Sequence, residues 1–298
     1  MPENKIVRIG TRGSDLALWQ AYHVKSQLES LGVQVSINII ETQGDKIQDL
    51  SFDKLEGKGF FTKEIEAALL NKEIDLAVHS HKDLETTSPP GLAIAAVSDR
   101  EDPSELLLIL PTAVDKTEKW GLKKNAVIGT SSARRKSQLI THRNDLQIKD
   151  LRGNVPTRIN KLHTGQYDAI LLAKAGVSRL KLDLSDLEVV TLNPLEFVPA
   201  PAQGVLGLQI REEDTELAAI LGHLNDTSIA EKIAVERGVL KNMNGGCQLP
   251  LGVYCDGENV FVAYSENASS PAIYQTFRWE NSDNQALTIV HELKKTRR

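Results

Sequence analysis

Short apolar runs alternate with longer segments of helical periodicity along roughly the first two hundred residues of the chain. This alternation predicts open sheets covered by helices, because each strand must be followed by a segment that returns the chain across one face of the sheet. The predicted elements of the first lobe are strands at residues 5–10, 33–41, 74–78 and 92–97 and helices at residues 14–31 and 62–70.

A polar run, DREDPSE, interrupts this pattern at residues 99–105 and is typical of a linker between lobes. The same pattern then restarts, which predicts a second lobe of the same class. A second crossing is predicted at PAPAQG, residues 199–204, and a strand at 205–210 is expected to return to the first lobe. The predicted strands of the second lobe are residues 105–110, 126–128, 146–149 and 168–172.

The character of the sequence changes from about residue 214 onward. Ser228 and Glu231 fit the two ends of a capping box, and the apolar positions after them predict one helical face that stops at Gly245 and Gly246. Two strands and a terminal helix are then predicted at residues 260–264, at 273–279 and from about residue 284.

The predicted fold class is α/β, with two lobes built on doubly wound mixed sheets and a small α+β C-terminal domain. A chain of 298 residues is too long for one comfortable core, so several domains are expected. The predicted domains are residues 1–98 with 201–220, residues 104–196, and residues 224–298.

Charge and composition exclude several classes of function. Thirty-five Lys and Arg against forty Asp and Glu give a formal charge of −5, which argues against nucleic-acid binding driven by net charge. The segment MPENKIVRIG has no signal-peptide core and no apolar run is long enough to span a bilayer, so we expect a cytoplasmic protein without membrane association. Neither CxxC nor HExxH occurs, so no metal site is predicted.

Arginines are concentrated where predicted strands pass into helices. In IGTSSARRKSQL, for example, free backbone N–H groups, hydroxyls and two guanidinium groups meet at one helix start, and all of them favour an anion. Ligands of open α/β sheets bind beyond the carboxyl ends of the strands, so the pattern predicts a polyanion site, although any one arginine can be a solvated surface charge. The arginines in such positions are Arg12, Arg134, Arg135, Arg152 and Arg158.

The segment DLAVHSHKDLE contains the best acidic candidate. Its apolar strand is expected to deliver His79, Ser80, His81, Lys82 and Asp83 to the same sheet edge. A carboxylate among cations stays ionised, so Asp83 suits the stabilisation of a developing positive charge, with a turn-capping carboxylate as the alternative. The two histidines have no third metal-binding partner in the sequence, so local hydrogen bonding is their expected role.

Two further segments contain candidate functional residues, GKGFF at residues 57–61 and GGC at residues 245–247. Lys58 lies between glycines before a helix but lacks P-loop spacing, so nucleotide binding is not predicted, and Phe60 and Phe61 either pack in the core or border a planar ligand. Cys247 follows a helix carboxyl end, which suits a thiol that reacts once with a strong electrophile and stays attached; a buried inert cysteine is the alternative. Its spacing to Cys255 permits a disulfide, but two free thiols are the simpler expectation.

Taken together, these segments closely resemble the porphobilinogen deaminase family, also called hydroxymethylbilane synthases. The resemblance implies two lobes like those of periplasmic solute-binding proteins and a third domain that carries a cofactor cysteine. It also implies a monomeric transferase of tetrapyrrole and haem biosynthesis, which joins four porphobilinogen molecules head to tail with loss of ammonia and releases hydroxymethylbilane. The shared motifs run over about residues 5–255 and are RIGTRGSDLALWQA, TQGD, GKGFFTKEIE, AVHSHKDLE, REDP, IGTSSARRKSQL, LRGNVPTRINKL, YDAILLAKAGVSRL, PAPAQGVLGL and GGCQLPLGVY.

The resemblance further implies roles for individual residues. A dipyrromethane cofactor is expected on Cys247 through a thioether, with Asp83 and Lys82 as catalytic residues. Every pyrrole bears an acetate and a propionate, so guanidinium groups are suitable partners. The expected cofactor ligands are Arg134, Arg135, Ser132, Lys58, Arg158 and Ser80. The expected substrate ligands are Arg12, Ser14, Arg152, Arg179, Phe61 and Gln203.

The sequence departs from the family pattern at several positions. His81 stands where the family commonly has methionine, which puts an ionisable group beside Asp83 and predicts a shifted pH optimum. Asp15, Gly13 and Ala133 also differ from the usual residues. None of these changes removes a residue with an expected chemical role.

Two other classes of protein are compatible with parts of the pattern. A two-lobed solute receptor would use the arginines to hold a small dicarboxylate, would release it reversibly and would not need Cys247, but such receptors normally carry a signal peptide. A DNA-binding protein with a two-lobed effector domain ranks last, because no helix-turn-helix pattern precedes the lobes.

Overall fold

The computed structural model of the protein describes residues 6–46, 62–246 and 248–295. None of the helices in these ranges is long and apolar enough to cross a membrane. The described strands are Val7–Thr11 (β1), Val35–Ile39 (β2), Leu76–Ser80 (β3), Leu92–Val97 (β4), Glu105–Ile109 (β5), Val127–Gly129 (β6), Gln147–Lys149 (β7), Ala169–Ala173 (β8), Glu188–Leu192 (β9), Leu206–Arg211 (β10), Leu251–Cys255 (β11), Asn259–Tyr264 (β12) and Ile273–Arg278 (β13). The described helices are Asp15–Ser30 (α1), Gln43–Lys46 (α2), Lys63–Leu70 (α3), Ala133–His142 (α4), Val155–His163 (α5), Lys174–Leu180 (α6), Thr215–Leu221 (α7), Thr227–Asn242 (α8) and Gln285–Lys295 (α9).

The described residues form two compact units. The first unit contains the described residues up to Glu101 together with Gly204–Glu231, and the second contains Asp102–Gln203 together with the described residues from Lys232 onward. The finer division into three domains stays a prediction.

The first unit is built on a mixed five-stranded sheet in the order β2-β1-β3-β10-β4. β1 pairs in parallel with β2 and β3, whereas β10 is antiparallel to β3 and β4. β10 follows the second crossing of the chain, so the predicted return to the first lobe is confirmed. Apolar residues of α1 and α7 cover this sheet, and Ile9, Leu28 and Leu76 are fully buried.

The second unit contains a mixed five-stranded sheet in the order β7-β6-β8-β5-β9. β6 is parallel to β7 and β8, and β5 is antiparallel to β8 and β9. Successive residues of β5 point to opposite faces, so Leu107 and Ile109 belong to one core while Leu106 and Leu108 belong to another. β9 was not predicted, because this edge strand buries alternate residues only in part and contains no continuous apolar run.

The second unit also contains a small antiparallel sheet in the order β11-β12-β13. Its core packs against α8 and α9, with Val239, Val253, Val262 and Ile289 buried. β11 was not predicted as a strand, whereas β12, β13 and the terminal helix were. The predicted fold class, α/β with two mixed sheets and a small α+β part, is confirmed.

One predicted helix start is wrong. α8 begins at Thr227, and Oδ1 of Asp226 accepts a hydrogen bond from the Ile229 backbone N–H at 3.0 Å. Asp226 therefore caps the helix, and the expected capping residue Ser228 is an exposed residue of its first turn. Aspartate and serine are about equally good N-caps, so the spacing to Glu231 alone did not distinguish them.

Candidate active site

The described residues with expected roles lie mostly where parallel strands end, at what we call the carboxyl edge of each sheet. In the first unit these strands are β1 and β3, and in the second they are β6, β7 and β8. Open α/β sheets bind their ligands at this edge. The residues that follow each strand are Arg12 and Ser14 after β1, Lys82 and Asp83 after β3, Ser132, Arg134 and Arg135 after β6, Arg152 and Arg158 after β7, and Arg179 after β8.

The start of α1 holds the first of these groups. Ser14 has extended backbone angles, φ −74° and ψ 148°, and occupies the N-cap position without a capping hydrogen bond from its side chain. The Thr11 hydroxyl donates to the Ala17 carbonyl at 3.1 Å, which links the end of β1 to the first turn of α1. The half-buried side chains of Arg12 and Ser14 thus lie beside the free N–H groups of a helix start.

His79, inside β3, is part of a buried hydrogen-bonded chain. Its Nε2 lies 3.0 Å from Oε1 of Gln209, whose amide nitrogen donates to Oε1 of Glu66 at 3.1 Å. Burial lowers the pKa of His79 to about 4, while the Gln209 bond opposes the shift. The neutral imidazole therefore has a local hydrogen-bonding role, as predicted. Among the described residues no cluster of His, Cys, Asp or Glu could hold a metal ion.

Beyond β3, His81–Asp83 forms a single 3₁₀ turn. Ser80 accepts a hydrogen bond from Nε2 of Gln20 at 2.7 Å, and the His81 N–H donates to the Val205 carbonyl at 2.9 Å. These bonds fix both sides of the turn to α1 and to the approach to β10. His81 is buried, Lys82 is half-buried and Asp83 is exposed, so the turn presents the carboxylate at the carboxyl edge of the first sheet.

The start of α4 is capped by one of the hydroxyl residues that the sequence places there. Ser132 has extended backbone angles and its hydroxyl accepts a hydrogen bond from the Arg135 N–H at 3.4 Å. The Ser132 N–H donates to the Thr130 hydroxyl at 3.2 Å. The cap places Arg134 and Arg135 in the first turn, directly after β6.

Both of these arginines contact Glu105, the first residue of β5, and the three residues form what we call the carboxyl-edge cluster. Nη2 of Arg134 donates to Oε1 of Glu105 at 2.5 Å, and Nη2 of Arg135 donates to Oε2 at 2.6 Å. Nη1 of Arg134 reaches the Val198 carbonyl at 2.9 Å, and Nη1 of Arg135 reaches the Leu171 carbonyl at 3.0 Å. Arg134 and Arg135 are each 6% exposed and Glu105 is 0% exposed, so the contacts are internal.

The carboxyl-edge cluster is electrostatically unbalanced, since within the described residues two guanidinium groups pair with one carboxylate. Burial lowers the pKa of Arg134, Glu105 opposes this shift, and the neighbouring Arg135 adds to it. In the same described part of the chain, Nε of Arg135 is buried without a hydrogen-bond partner. An unfilled donor beside an excess of positive charge fits a ligand that bears carboxylates.

The start of α5 carries Arg152 and Arg158. The helix cap is Asn154, whose side chain accepts from the Thr157 N–H at 2.9 Å. Nε of Arg158 donates to the Gly153 carbonyl at 2.7 Å. Gly153 has φ +113° and a Cβ there would lie 2.6 Å from Thr157, so this tight turn requires glycine. Both arginines are half-buried at the carboxyl edge.

The remaining expected residues are located as follows. Arg179 is buried on α6. Gln203 is fully buried before the return strand, and its Nε2 donates to the Pro103 carbonyl at 2.7 Å. Lys58, Phe61 and Cys247 lie outside the described residues.

Sequence reasoning missed two buried carboxylates of the second unit. Glu105 opens the otherwise apolar strand ELLLI, which was a signal that its charge is paired. Glu236 on α8 accepts hydrogen bonds from the Ala202 N–H at 2.7 Å and from the Cys255 N–H at 2.8 Å. Cys255 is a free thiol, as expected, and burial raises its pKa to about 11, so it is not a reactive group.

The fold and these arginine-rich edges define a two-lobed α/β protein suited to an acidic ligand. The family model "Porphobilinogen deaminase, dipyromethane cofactor binding domain" matches residues 7–219. The porphobilinogen deaminase of Maridesulfovibrio salexigens is 42% identical over 295 residues, which cover 96% of this chain and 94% of that protein. The enzyme of the same name from Helicobacter hepaticus is 45% identical over 253 residues, or 84% of this chain and 77% of that one.

The chain belongs to the porphobilinogen deaminase family. Among solved structures, the periplasmic VFT2 domain of Bordetella pertussis BvgS has a TM-score of 0.43 at 14% identity, and the alignment covers 72% of this chain and 85% of that domain. The fold class rests on the strand pairings of this chain and not on that similarity.

Proposed function

We propose that this chain joins four porphobilinogen molecules head to tail with loss of ammonia and releases hydroxymethylbilane for tetrapyrrole biosynthesis. The observation that carries this conclusion is the relationship to a porphobilinogen deaminase over 96% of the chain. The geometry agrees, since hydroxyls and guanidinium groups lie at the carboxyl edges of both mixed sheets. A polyacidic product needs such partners.

The proposed cofactor is a dipyrromethane joined to Cys247 by a thioether. Most of the groups that we assign to its carboxylates belong to the second unit. When bound, the cofactor supplies the terminal pyrrole that serves as primer for chain growth. We assign its carboxylates to Arg134, Arg135, Ser132 and Arg158, with Lys58 and Ser80 as further ligands. The unfilled Arg135 Nε and the charge imbalance of the carboxyl-edge cluster support this assignment.

Asp83 is the proposed catalytic carboxylate. It is exposed at the carboxyl edge, at the end of a turn that is hydrogen-bonded on both sides. Its oxygens would accept hydrogen bonds from pyrrole N–H groups and stabilise the positive charge that develops as ammonia leaves porphobilinogen. Lys82, next to it, offers an ammonium group to the substrate carboxylates.

The remaining polar groups are assigned to the substrate. Arg12 and Ser14 lie at the start of α1, where guanidinium, hydroxyl and backbone N–H groups favour a carboxylate. The proposed substrate ligands also include Arg152, Arg179, Phe61 and Gln203. A monomeric state and a cytoplasmic location are part of the proposal, and sedimentation equilibrium of the purified chain tests the first.

Intact-mass measurement under denaturing conditions tests the cofactor. The wild-type chain is expected to carry a covalent adduct, because the thioether survives unfolding. Cys247→Ser is expected to carry none, whereas the matched variant Cys255→Ser should keep it. A fully active wild type of unmodified mass would refute the assignment, and reversible ligand release without any adduct would favour the solute receptor.

Single-turnover and steady-state rates test the role of Asp83. Asp83→Asn should keep the adduct but lower kcat by about 10²-fold or more, because a neutral amide stabilises a cation poorly. Glu85→Gln, an exposed carboxylate two positions further on, is the control and should keep near-normal kcat. Equal turnover in the two variants contradicts the proposed role.

A further inference from the structure

Glu105 is the feature of the site that has no assigned role. Its carboxylate is 0% exposed, yet both oxygens receive guanidinium donors, Arg134 at 2.5 Å and Arg135 at 2.6 Å. The two arginines are adjacent on α4, and Glu105 precedes them by 29 and 30 positions. Such a bridge exists only when β5 and α4 are correctly placed against each other.

Strand register puts Glu105 at the carboxyl edge of the second sheet. β5 is antiparallel to β8, and Glu105 pairs with Ala173, the last residue of β8. β8 is parallel to β6, which leads directly into α4. The first residue of β5 therefore lies beside the strand ends that present the arginines.

We propose that Glu105 is a positioning residue for the reaction: it orients Arg134 and Arg135 so that the pair can take a carboxylate of a bound pyrrole chain. This inference rests on the proposed function, since it assigns that ligand to the pair. Glu105 itself is buried behind the guanidinium groups and does not contact the ligand.

The geometry explains how one carboxylate orients two side chains. Each guanidinium group is held at two points, by Glu105 and by a backbone carbonyl, Val198 for Arg134 and Leu171 for Arg135. Two fixed points determine the plane of the fork, so its remaining N–H groups keep a defined direction. Nε of Arg135 is one such donor and, within the described residues, is buried without a partner.

The charge balance explains why this is more than an internal ion pair. A pair that serves stability alone is best matched one to one, because an uncompensated buried charge is strongly unfavourable. Within the described residues the carboxyl-edge cluster has one more cation than anions. The excess is relieved when an anionic ligand binds beside it.

Electrostatic attraction and the orientation of the arginines predict opposite changes in ligand affinity for Glu105→Gln. The substitution raises the local positive charge by one, so attraction alone would increase the affinity for a carboxylate. If Glu105 positions the arginines, the same variant loses its orientation and binds the ligand less well. Glu105→Asp keeps the charge but is one methylene shorter, so it should hold one guanidinium group and not both.

The matched control is Asp75→Asn. Asp75 also bridges two arginines, Arg8 and Arg211, but it belongs to the first unit and precedes β3. Circular dichroism and melting temperature first establish the folded fraction of each variant. Intact mass then gives the share of folded chains that carry the adduct, and steady-state kinetics give KM and kcat separately.

We expect Glu105→Gln and Glu105→Asp to lower the adduct share, or to raise KM for porphobilinogen by about tenfold in the loaded chains with kcat little changed. Asp75→Asn should lower the melting temperature but leave the adduct share of folded chains and KM at wild-type values. Unchanged adduct share and KM in both Glu105 variants, tighter binding in Glu105→Gln, or equal losses in Asp75→Asn would each overturn the proposal. Absence of the adduct from wild type would instead reject the proposed function.

Discussion

Two clusters of arginine and carboxylate side chains, one in each unit, are built from similar residue types and differ in their position on the sheet. In the carboxyl-edge cluster, Arg134 and Arg135 share Glu105. In the first unit, Nε of Arg8 bonds Oδ2 of Asp75 at 2.9 Å and Nη2 of Arg211 bonds Oδ1 at 2.9 Å. We call this second set the amino-edge cluster.

The amino-edge cluster is balanced where the carboxyl-edge cluster is not. Arg211 also pairs with Asp214 at 3.5 Å, so two arginines meet two carboxylates among the described residues. Asp75 precedes β3, and Arg211 ends the antiparallel strand β10, so the cluster lies at the edge of the sheet opposite the predicted site. The guanidinium groups of Arg8 and Arg211 lower the pKa of Asp75 to about 2, although its burial alone would raise it.

The contrast shows that arginine chemistry alone does not identify a binding site. Both clusters contain a buried guanidinium group that bonds a carboxylate and a backbone carbonyl, although Arg8 of the amino-edge cluster has a 39% exposed side chain. The balanced cluster needs no ligand and stands where parallel strands begin. The unbalanced one stands where they end, which is where open sheets bind anions.

The largest loss of stability is expected when the amino-edge cluster is broken. Asp75→Asn leaves Arg8 and Arg211 with too little negative charge, and removal of one partner from a buried pair typically destabilises a protein by about 3–5 kcal/mol. Urea titration followed by circular dichroism should show this loss. Glu213→Gln, which removes the exposed partner of Lys72, is the control and should leave stability nearly unchanged, because water screens an exposed ion pair. Similar losses in the two variants would mean that Asp75 has no special role.

His79 and the amino-edge cluster belong to the same unit, but they should affect the pH dependence of stability in different pH ranges. The pKa of His79 is lowered to about 4 in the folded chain, so the unfolded chain binds more protons between about pH 6.5 and 4. Stability should therefore fall by about 1.4 kcal/mol per pH unit as the pH decreases through this window. Asp75, with its lowered pKa of about 2, contributes above about pH 3.8 and loses this contribution only at lower pH.

Urea titrations at pH 7.0, 6.0 and 5.0 test the assignment to His79. His79→Asn should remove most of the slope in that window, while substitution of the exposed His223 by Asn should leave it in place. A wild-type stability that does not change over this range contradicts a buried neutral imidazole.

The smallest expected effect compares one arginine from each cluster. Arg135→Lys keeps the charge but loses the planar fork, so we expect a smaller share of folded chains to carry the covalent adduct, as measured by intact mass. Arg8→Lys should leave the adduct share unchanged and lower only the melting temperature. If both variants lower the adduct share equally, the position of a cluster on its sheet has no functional meaning.

Local patterns predicted much of the fold. The helix expected at residues 14–31 is α1, Asp15–Ser30, because its apolar face repeats with helical period and its ends lie in turn-forming sequence. A cap at the start of α4 was readable, since a hydroxyl before a helical run is a local signal, but only the structure selects Ser132 from Thr130, Ser131 and Ser132. β9 was missed because an edge strand needs no continuous apolar run.

Site residues were predicted less completely than elements. Arg134 and Arg135 were expected at a helix start and are found there, but their burial against Glu105 was not anticipated. Their partner is 29 and 30 positions away, and no periodic pattern links the two segments. Asp75 and Arg211 are separated by 136 positions, and no local pattern in the sequence indicates that they pair.

The sequence by itself determined the α/β class, the order of most strands and helices, and the presence of basic groups at several helix starts. These features depend on periodicity and capping, which act between residues a few positions apart. Only the tertiary structure decided which arginines are paired internally, which cluster is balanced and which sheet edge each occupies. That choice depends on strand order and register, because antiparallel β5 and β10 bring Glu105 and Arg211 beside residues far away in the chain.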